Sequence, residues 1–377
     1  MRDATPHNAG PDYNNGTDVL LVGHAVRIDY WLAMKAVVFS QHGGPDVLQY
    51  RDVPDPKPGP GEVLIEVKAT SINHIDIFLR RGMPGVKVPL PKIVGSDAAG
   101  IIRELGPAVS GLTTGQRVTI NPGVSCGRCE FCTAGFASQC ASFGIVGENC
   151  DGAYAQFVAV PAHIVLPIPD SISFEEAAAA PLVFVTAWSM MVSKGNIRPG
   201  EDVLILGAGA GVGTAAIQIA KMVGCRVFVT ASSEEKLQRA KDLGADSLIN
   251  YATDEFDKKI RELTNKRGVD VVVDYIGADT WVRSLRSARR GGRVLTCGAT
   301  TGFAPQTDLR QIFFRQVQVL GSTMGSQREF LDVMKCLFRR QLRPVIDRVL
   351  PLTEARVGHE LIEQRKVFGK IVLTNAG

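Results

Sequence analysis

From Met34 onward, short apolar runs alternate with Pro/Gly punctuation, and after Pro169 the period of the pattern changes. Val63–Val67 and Arg117–Ile120 have strand length, and Pro54–Gly61 breaks the chain before them, so residues 34–168 read as β-rich. Ser171-Ile-Ser-Phe-Glu175 opens an alanine-rich helix with Ser173 or Ser171 as its N-cap. A regular alternation follows. Val203–Gly207, Val227–Thr230, Ser247–Asn250, Val269–Tyr275 and Arg293–Cys297 read as strands, and Val317–Leu320 as the last of them. Gly213–Val223 and Glu234–Leu243 read as helices between the first three, with further helices before the next two. Strand–helix units of this length predict an α/β fold with a parallel, doubly wound sheet. From about residue 327 the helix Phe330–Arg340 and the strand Lys370–Leu373 are expected to return to the first domain.

The four segments expected are therefore 1–33, 34–168, 169–326 and 327–377. Residues 1–18 are polar, and Val19–Val26 is too short and poorly flanked for a signal peptide. Residues 1–33 are read as a disordered extension, or as residues upstream of the true start. A chain of 377 residues suffices for two domains with a sizeable core, and 45% hydrophobic with 21% charged residues is ordinary for a soluble protein. A net charge of +4 is too weak to imply nucleic acid, and the five arginines of Arg283–Arg293 lack interleaved aromatics. They read as a solvated helix face. No apolar run approaches the ~20 residues that cross a bilayer. Cys150, Cys225, Cys297 and Cys336 are scattered, which suits reduced thiols in the cytoplasm.

The remaining cysteines are not scattered. Cys126, Cys129, Cys132 and Cys140 fall within fifteen residues, and the spacing C-x2-C-x2-C-x7-C lets four thiolates converge on one tetrahedral zinc. The competing reading is a disulfide, but cysteines two residues apart bridge poorly. With all four ligands from protein, no position stays open for water or substrate, so the metal is structural.

Gly207-Ala-Gly-Ala-Gly-Val-Gly213 lies between the first strand and helix of the alternation. Glycines let backbone amides approach a pyrophosphate, which the helix N-terminus then stabilises; Gly207, Gly209, Gly211, Val212 and Gly213 are the candidate contacts. An NAD enzyme usually ends the second strand with a carboxylate for the ribose hydroxyls. Here Ala231, Ser232 and Ser233 stand there, with Lys236 and Arg239 on the next helix. That set suits the 2′-phosphate of NADPH, although Lys236 and Arg239 also fit a solvated helix face.

The landmarks Pro58–Val63, Gly115-Gln-Arg-Val118, Asp151–Gln156 and Arg198–Val203, together with the cysteine lobe and the glycine loop, resemble the medium-chain dehydrogenase/reductase superfamily from Met34 to Leu373. The resemblance implies a GroES-like catalytic domain carrying the zinc lobe and a Rossmann cofactor domain. It further implies an NADP role for Tyr251, a nicotinamide contact from Thr186, and closure over the cofactor near Lys370. Zinc alcohol dehydrogenases of this superfamily hold a second, catalytic zinc. The matching positions here are Asn73, Ser96 and Leu182, and the proton relay would fall at Ile75 and Phe78. Both supports of ordinary alcohol oxidation are missing.

The zinc-independent quinone and enal reductases are the nearer likeness, with Asn73 expected to stabilise the developing oxyanion, helped by backbone amides of Leu182–Thr186. His74 stays open to three roles: proton donor, phosphate partner or structural residue. Phe78, Phe143, Phe184 and Trp188 are candidates for an apolar substrate wall. Two alternatives remain. One is an alcohol dehydrogenase using a nonstandard metal held by His74, Asp97, Glu148 and Cys150; the other is an NADPH-binding protein without turnover. The expected partners are a small-molecule substrate and a second copy of the chain, in a homodimer or a tetramer, with no nucleic acid and no membrane.

Overall fold

A computed structural model describes residues 33–375. The extension read in residues 1–33 lies, but for its last residue, outside them.

The parallel sheet runs in the spatial order Ser247–Asn250, Arg226–Ala231, Asp202–Ile205, Val269–Val273, Ala288–Thr296, Gln318–Gly321. Its central strands are buried on both faces, as helices on either side require, and Val269–Val273 has no exposed position. The chain starts at the centre, winds to one edge, then returns to wind the other way. The order reverses between Asp202–Ile205 and Val269–Val273, so a crevice opens at their carboxyl ends, where ligands of such sheets bind.

A seven-stranded antiparallel-rich sheet forms the other layer. Its core strand, Glu62–Ser71, pairs with Ala99–Leu105, with Phe157–Pro161 and with Lys370–Thr374. The last of these places Val372 opposite Ser71, and Ile346–Pro351 continues the sheet in parallel. Lys370–Thr374 thus joins a sheet whose antiparallel members come from residues 62–167. Between the layers, Ser173 caps the helix Phe174–Ala179 by accepting from the Glu176 amide at 3.1 Å while Glu176 accepts from Ser173 N.

Two expectations are corrected. The helix after the glycine loop is Gly211–Val223, so Gly211, Val212 and Gly213 already form its first turn. Arg283–Arg293 is not one helix face: the helix ends at Ser287 and the strand Ala288–Thr296 begins inside the run. Its arginines meet partners. Arg283 lies 4.9 Å over the Phe256 ring, Arg289 pairs with Asp270, and Arg293 pairs with Glu201 at 2.5 Å.

Candidate active site

The cysteine lobe is preformed. The four sulfurs lie within 4.8 Å of one another, with contacts of 3.5 Å for Cys129–Cys132 and Cys126–Cys140 and 4.0 Å for Cys126–Cys132. A zinc tetrahedron with bonds of about 2.3 Å has edges of about 3.8 Å. The thiolates therefore fit the ion, and Cys126, Cys129, Cys132 and Cys140 would hold it. It would brace the lobe and leave nothing coordinatively open.

The glycine loop turns where the sequence demands. Gly207 has φ +66°, and a Cβ on Gly213 would lie 2.6 Å from both Gly207 O and the Tyr275 hydroxyl. The first i→i−4 bond of the helix runs from Thr214 N to Ala210 O, leaving the amides of Gly211, Val212 and Gly213 at its open end. Thr230 Oγ1 accepts from Gly207 N at 3.1 Å, and Gly369 N donates to Gly209 O at 2.8 Å. The loop is thus held from the second strand and from the end of the chain. Around the end of the second strand stand Ser232, Ser233 and Tyr251, all half-buried; Tyr251 N donates to Ala231 O at 3.0 Å. Ser233 caps the next helix, and Lys236 donates from Nζ to Arg365 O at 2.5 Å. Arg239 turns away, stacking at 4.4 Å on Phe368 and pairing with Asp347 at 3.4 Å. Glu234 is engaged by Asn250 Nδ2 at 2.8 Å.

The cleft floor is a buried polar knot. Asn73 N-caps the helix His74–Arg81, with its backbone N–H on Asp76 at 2.8 Å. Asn73 Nδ2 donates to Asp97 at 2.8 Å and Asn73 Oδ1 accepts from Lys370 Nζ, so both ends of the amide are engaged. Asp97, fully buried, also accepts from Ser71 Oγ at 2.7 Å and from Leu182 N at 2.9 Å. The ammonium of Lys370 reaches Ile72 O at 2.8 Å and stands 3.7 Å from Asp97. Burial pulls its pKa down, against the carboxylates of Asp97 and Asp76. Below, Asp76 accepts from Gly95 N at 3.1 Å and from the Tyr154 hydroxyl at 3.2 Å, which also meets His359. Burial raises the Asp76 pKa to about 7, with the Asn73 and Gly95 amides and Lys370 opposing.

This geometry redraws several expected roles. Asn73 is a floor residue with engaged donors, not a free oxyanion donor. The Leu182 amide is likewise taken, by Asp97. Phe184 is buried in the core and Trp188 packs against it, so neither walls a substrate space. Thr186 is buried, its hydroxyl 3.5 Å from the sulfur of Met324. His74, by contrast, keeps an exposed surface beside Phe78. Its pKa is lowered to about 4 by desolvation among surrounding protein atoms, then by Lys370 and Arg81, and the exposed surface tempers the first cause. Asp97, Glu148, Cys150 and His74 do not converge; among the described residues the four lobe cysteines are the one cluster able to grip an ion. Ser96 is buried, and its hydroxyl has no partner in the protein.

Two residues escaped the sequence reading. Tyr275 donates to Gly207 O at 2.8 Å, and Asp274 gathers Ile276 N, Gly277 N, Thr280 and Ser284 into the turn beside it. Their place at the end of the fourth nucleotide strand, facing the switch in strand order, was the available signal.

Residues 211–339 match the zinc-binding dehydrogenase family and residues 59–170 the alcohol dehydrogenase GroES-like domain. A zinc-type alcohol dehydrogenase-like protein of Schizosaccharomyces pombe is 33% identical over 353 residues, 91% of this chain and 99% of its own. Acryloyl-coenzyme A reductase of Metallosphaera sedula is 31% identical over 347 residues, 90% of this chain and 100% of its own. A crystal structure of an NAD-dependent alcohol dehydrogenase superimposes with a TM-score of 0.88 at 46% identity, covering 91% of this chain and 100% of that one.

The floor yields a stability prediction. Asp97→Ala leaves the Lys370 cation buried without its carboxylate and is expected to cost about 3–5 kcal/mol. Adding Lys370→Met should restore part of that loss. Denaturant midpoints of the single and double variants check it, and strictly additive losses would show that the two charges are not coupled.

Proposed function

We propose, because this chain belongs to the medium-chain dehydrogenase/reductase superfamily in its zinc-binding alcohol dehydrogenase and quinone oxidoreductase-like branch, that it reduces a carbonyl-conjugated double bond or a quinone. The carrying observation is the cleft floor. Where the zinc alcohol dehydrogenases place metal ligands, this chain has an amide, a hydroxyl and an alkyl side chain. The polar knot there is centred on Lys370 and Asp97. Hydride transfer to a conjugated acceptor needs an oriented nicotinamide and a polar floor. It does not need a Lewis acid.

A bound nicotinamide supplies the hydride. The residues here hold its pyrophosphate on the open amides of Gly211, Val212 and Gly213 and exclude water beneath the cleft with the Lys370–Asn73–Asp97 knot. The β-carbon of the acceptor gains the hydride, its π bond is consumed, and the α-carbon takes a proton from water. His74, uncharged at neutral pH, is suited to donate a hydrogen bond to the oxyanion or the cofactor rather than to deliver that proton. Steady-state oxidation of the reduced cofactor with but-2-enal, benzoquinone and acetaldehyde tests the reading, with turnover expected on the first two. Asn73→Ala, which loosens the floor, should cut kcat by about a hundredfold with cofactor affinity little changed. Turnover confined to acetaldehyde, or a fully active variant, would sink the proposal.

The cofactor we assign is NADPH. Ala231 stands where a ribose carboxylate is usual, Glu234 accepts from Asn250, and Ser232, Ser233, Lys236 and Tyr251 are the polar residues near the end of that strand that support the reading. NADPH is expected to bind at least about tenfold tighter than NADH, or ~1.4 kcal/mol. Ala231→Asp should narrow or reverse the gap by repelling the phosphate. Fluorescence titration with both cofactors decides, and equal affinities in the parent protein would refute the assignment.

We also assign a homodimer, and a cytoplasmic setting consistent with the unpaired Cys150, Cys225, Cys297 and Cys336. Among the described residues, no helix is long and apolar enough to cross a membrane. The edge strand Gln318–Gly321 carries the exposed Val319, flanked by exposed Leu309, Phe313 and Phe314. A two-fold mate would cover both the open edge and this apolar surface. Val317 is buried and belongs to the core, so the informative charges go at Val319 and Phe313. Val319→Lys with Phe313→Glu should yield monomers by light scattering; a monomeric parent at micromolar concentration would end the idea.

A further inference from the structure

One cavity has no part in the chemistry described so far. At the carboxyl ends of the outer nucleotide strands lies an open cleft of about 650 Å³. Ser138 and Gln139 of the cysteine lobe form one wall, and Lys194, Trp281, Phe303 and Ser322 form much of the rest. The space far exceeds what a four-carbon enal fills and lies within the range of sites that enclose larger ligands.

Two features of its lining point to the ligand's chemistry. Lys194 is the one charged side chain among the lining residues, and no carboxylate faces it there. Its ammonium is tethered by a single long bond, 3.4 Å to Gly321 O, which leaves donors for another acceptor. Ser322 is only 7% exposed, yet its hydroxyl has no partner within the protein. A buried hydroxyl without a partner is the exception in folded proteins and marks a place where something else supplies the bond. The two groups border the same cleft, one charged and one neutral, with Trp281 and Phe303 beside them. The lining mixes apolar side chains with neutral hydroxyls around a single positive pole, which suits a conjugated acyl chain bearing one anionic group.

We propose that Lys194 anchors that anionic group, so that the natural acceptor is an α,β-unsaturated acyl compound carrying a carboxylate or a phosphate. This rests on the reductase reading above. Lysine is a compact point charge that takes either anion without demanding paired geometry. The anion takes no part in bond making; it fixes the distance between the double bond and the nicotinamide end of the crevice. Lys194 is accordingly a specificity residue and touches no reacting atom.

The full-length, zinc-loaded protein is assayed with three acceptors: 6-oxohex-4-enoate, an enal with a remote carboxylate; crotonyl-coenzyme A, a phosphate-bearing thioester; and but-2-enal, which is neutral. Lys194→Gln should raise KM for at least one charged acceptor by about tenfold with kcat little changed, and leave kcat/KM for but-2-enal as in the parent. Lys194→Glu should raise it further. The charged acceptor that responds identifies the source of the anion. An unchanged KM for both, or an equal loss on but-2-enal, overturns the proposal. Should the parent reduce none of the three, the reductase reading fails by itself. Calorimetric titration of the same two anions then decides the site: binding that Lys194→Gln abolishes sustains it, whereas equal binding or none overturns it.

Discussion

Everything at the centre of this molecule depends on one buried cation. Lys370 begins the last strand, directly after Gly369 has bonded to the glycine loop, and its ammonium ends beneath the cleft. A charge in that position is tolerable only if it is paired and hydrogen-bonded. Asp97 supplies the opposite charge, while Ile72 O and Asn73 Oδ1 take up donors. Asp97 then reaches the Leu182 amide, at the start of a helix that packs on the nucleotide-binding half. Segments almost three hundred residues apart are thereby held in register by one set of mutually dependent bonds. Removing any member strands the others, which makes the arrangement specific even though its net contribution to stability is modest.

The same knot shapes what the fold can catalyse. A metal at this place would have stabilised an alkoxide; an ammonium already neutralised by a carboxylate offers no such open coordination. The floor offers instead rigidity and a defined polarity under a dinucleotide crevice formed by a reversal of strand order. Hydride chemistry in which the acceptor's own conjugation delocalises the developing charge asks for little more. One architecture can thus carry different chemistries, with the side chains at the cleft floor as the difference.

Much of this was legible in the chain. Cys126, Cys129, Cys132 and Cys140 announce their geometry by spacing alone, because ligand reach is a local property. The glycine loop and the strand–helix alternation are equally local, and the structure reproduces most of their bounds within a residue or two, although the strand read from Arg293 begins at Ala288. What the sequence could not convey was the state of each donor. Asn73 reads as a free amide in its motif, and only the arrival of Lys370 and Asp97 reveals that both its ends are taken. Leu182 contributes through its backbone, which no residue name encodes. The arginines of Arg283–Arg293 mislead for a related reason. A run of like charge has no periodicity of its own, so the change from helix to strand at Ala288 within it left no trace in composition.

The cysteine lobe places a metal site away from the buried floor, where its effect would be on the shape of the surface. Ser138 and Gln139 sit in the short 3-10 turn Ala137–Gln139, between the third and fourth ligands, and they form one wall of the cleft that carries Lys194. An unbraced loop of this length, rich in small and polar residues, would not hold a wall in place against solvent. Four thiolates converging on one ion fix both ends of the segment, so the turn between Cys132 and Cys140 has few conformations left. A zinc held there would brace a surface that it does not itself touch. The buried cation orders the floor, and a metal on the four thiolates would order the lobe.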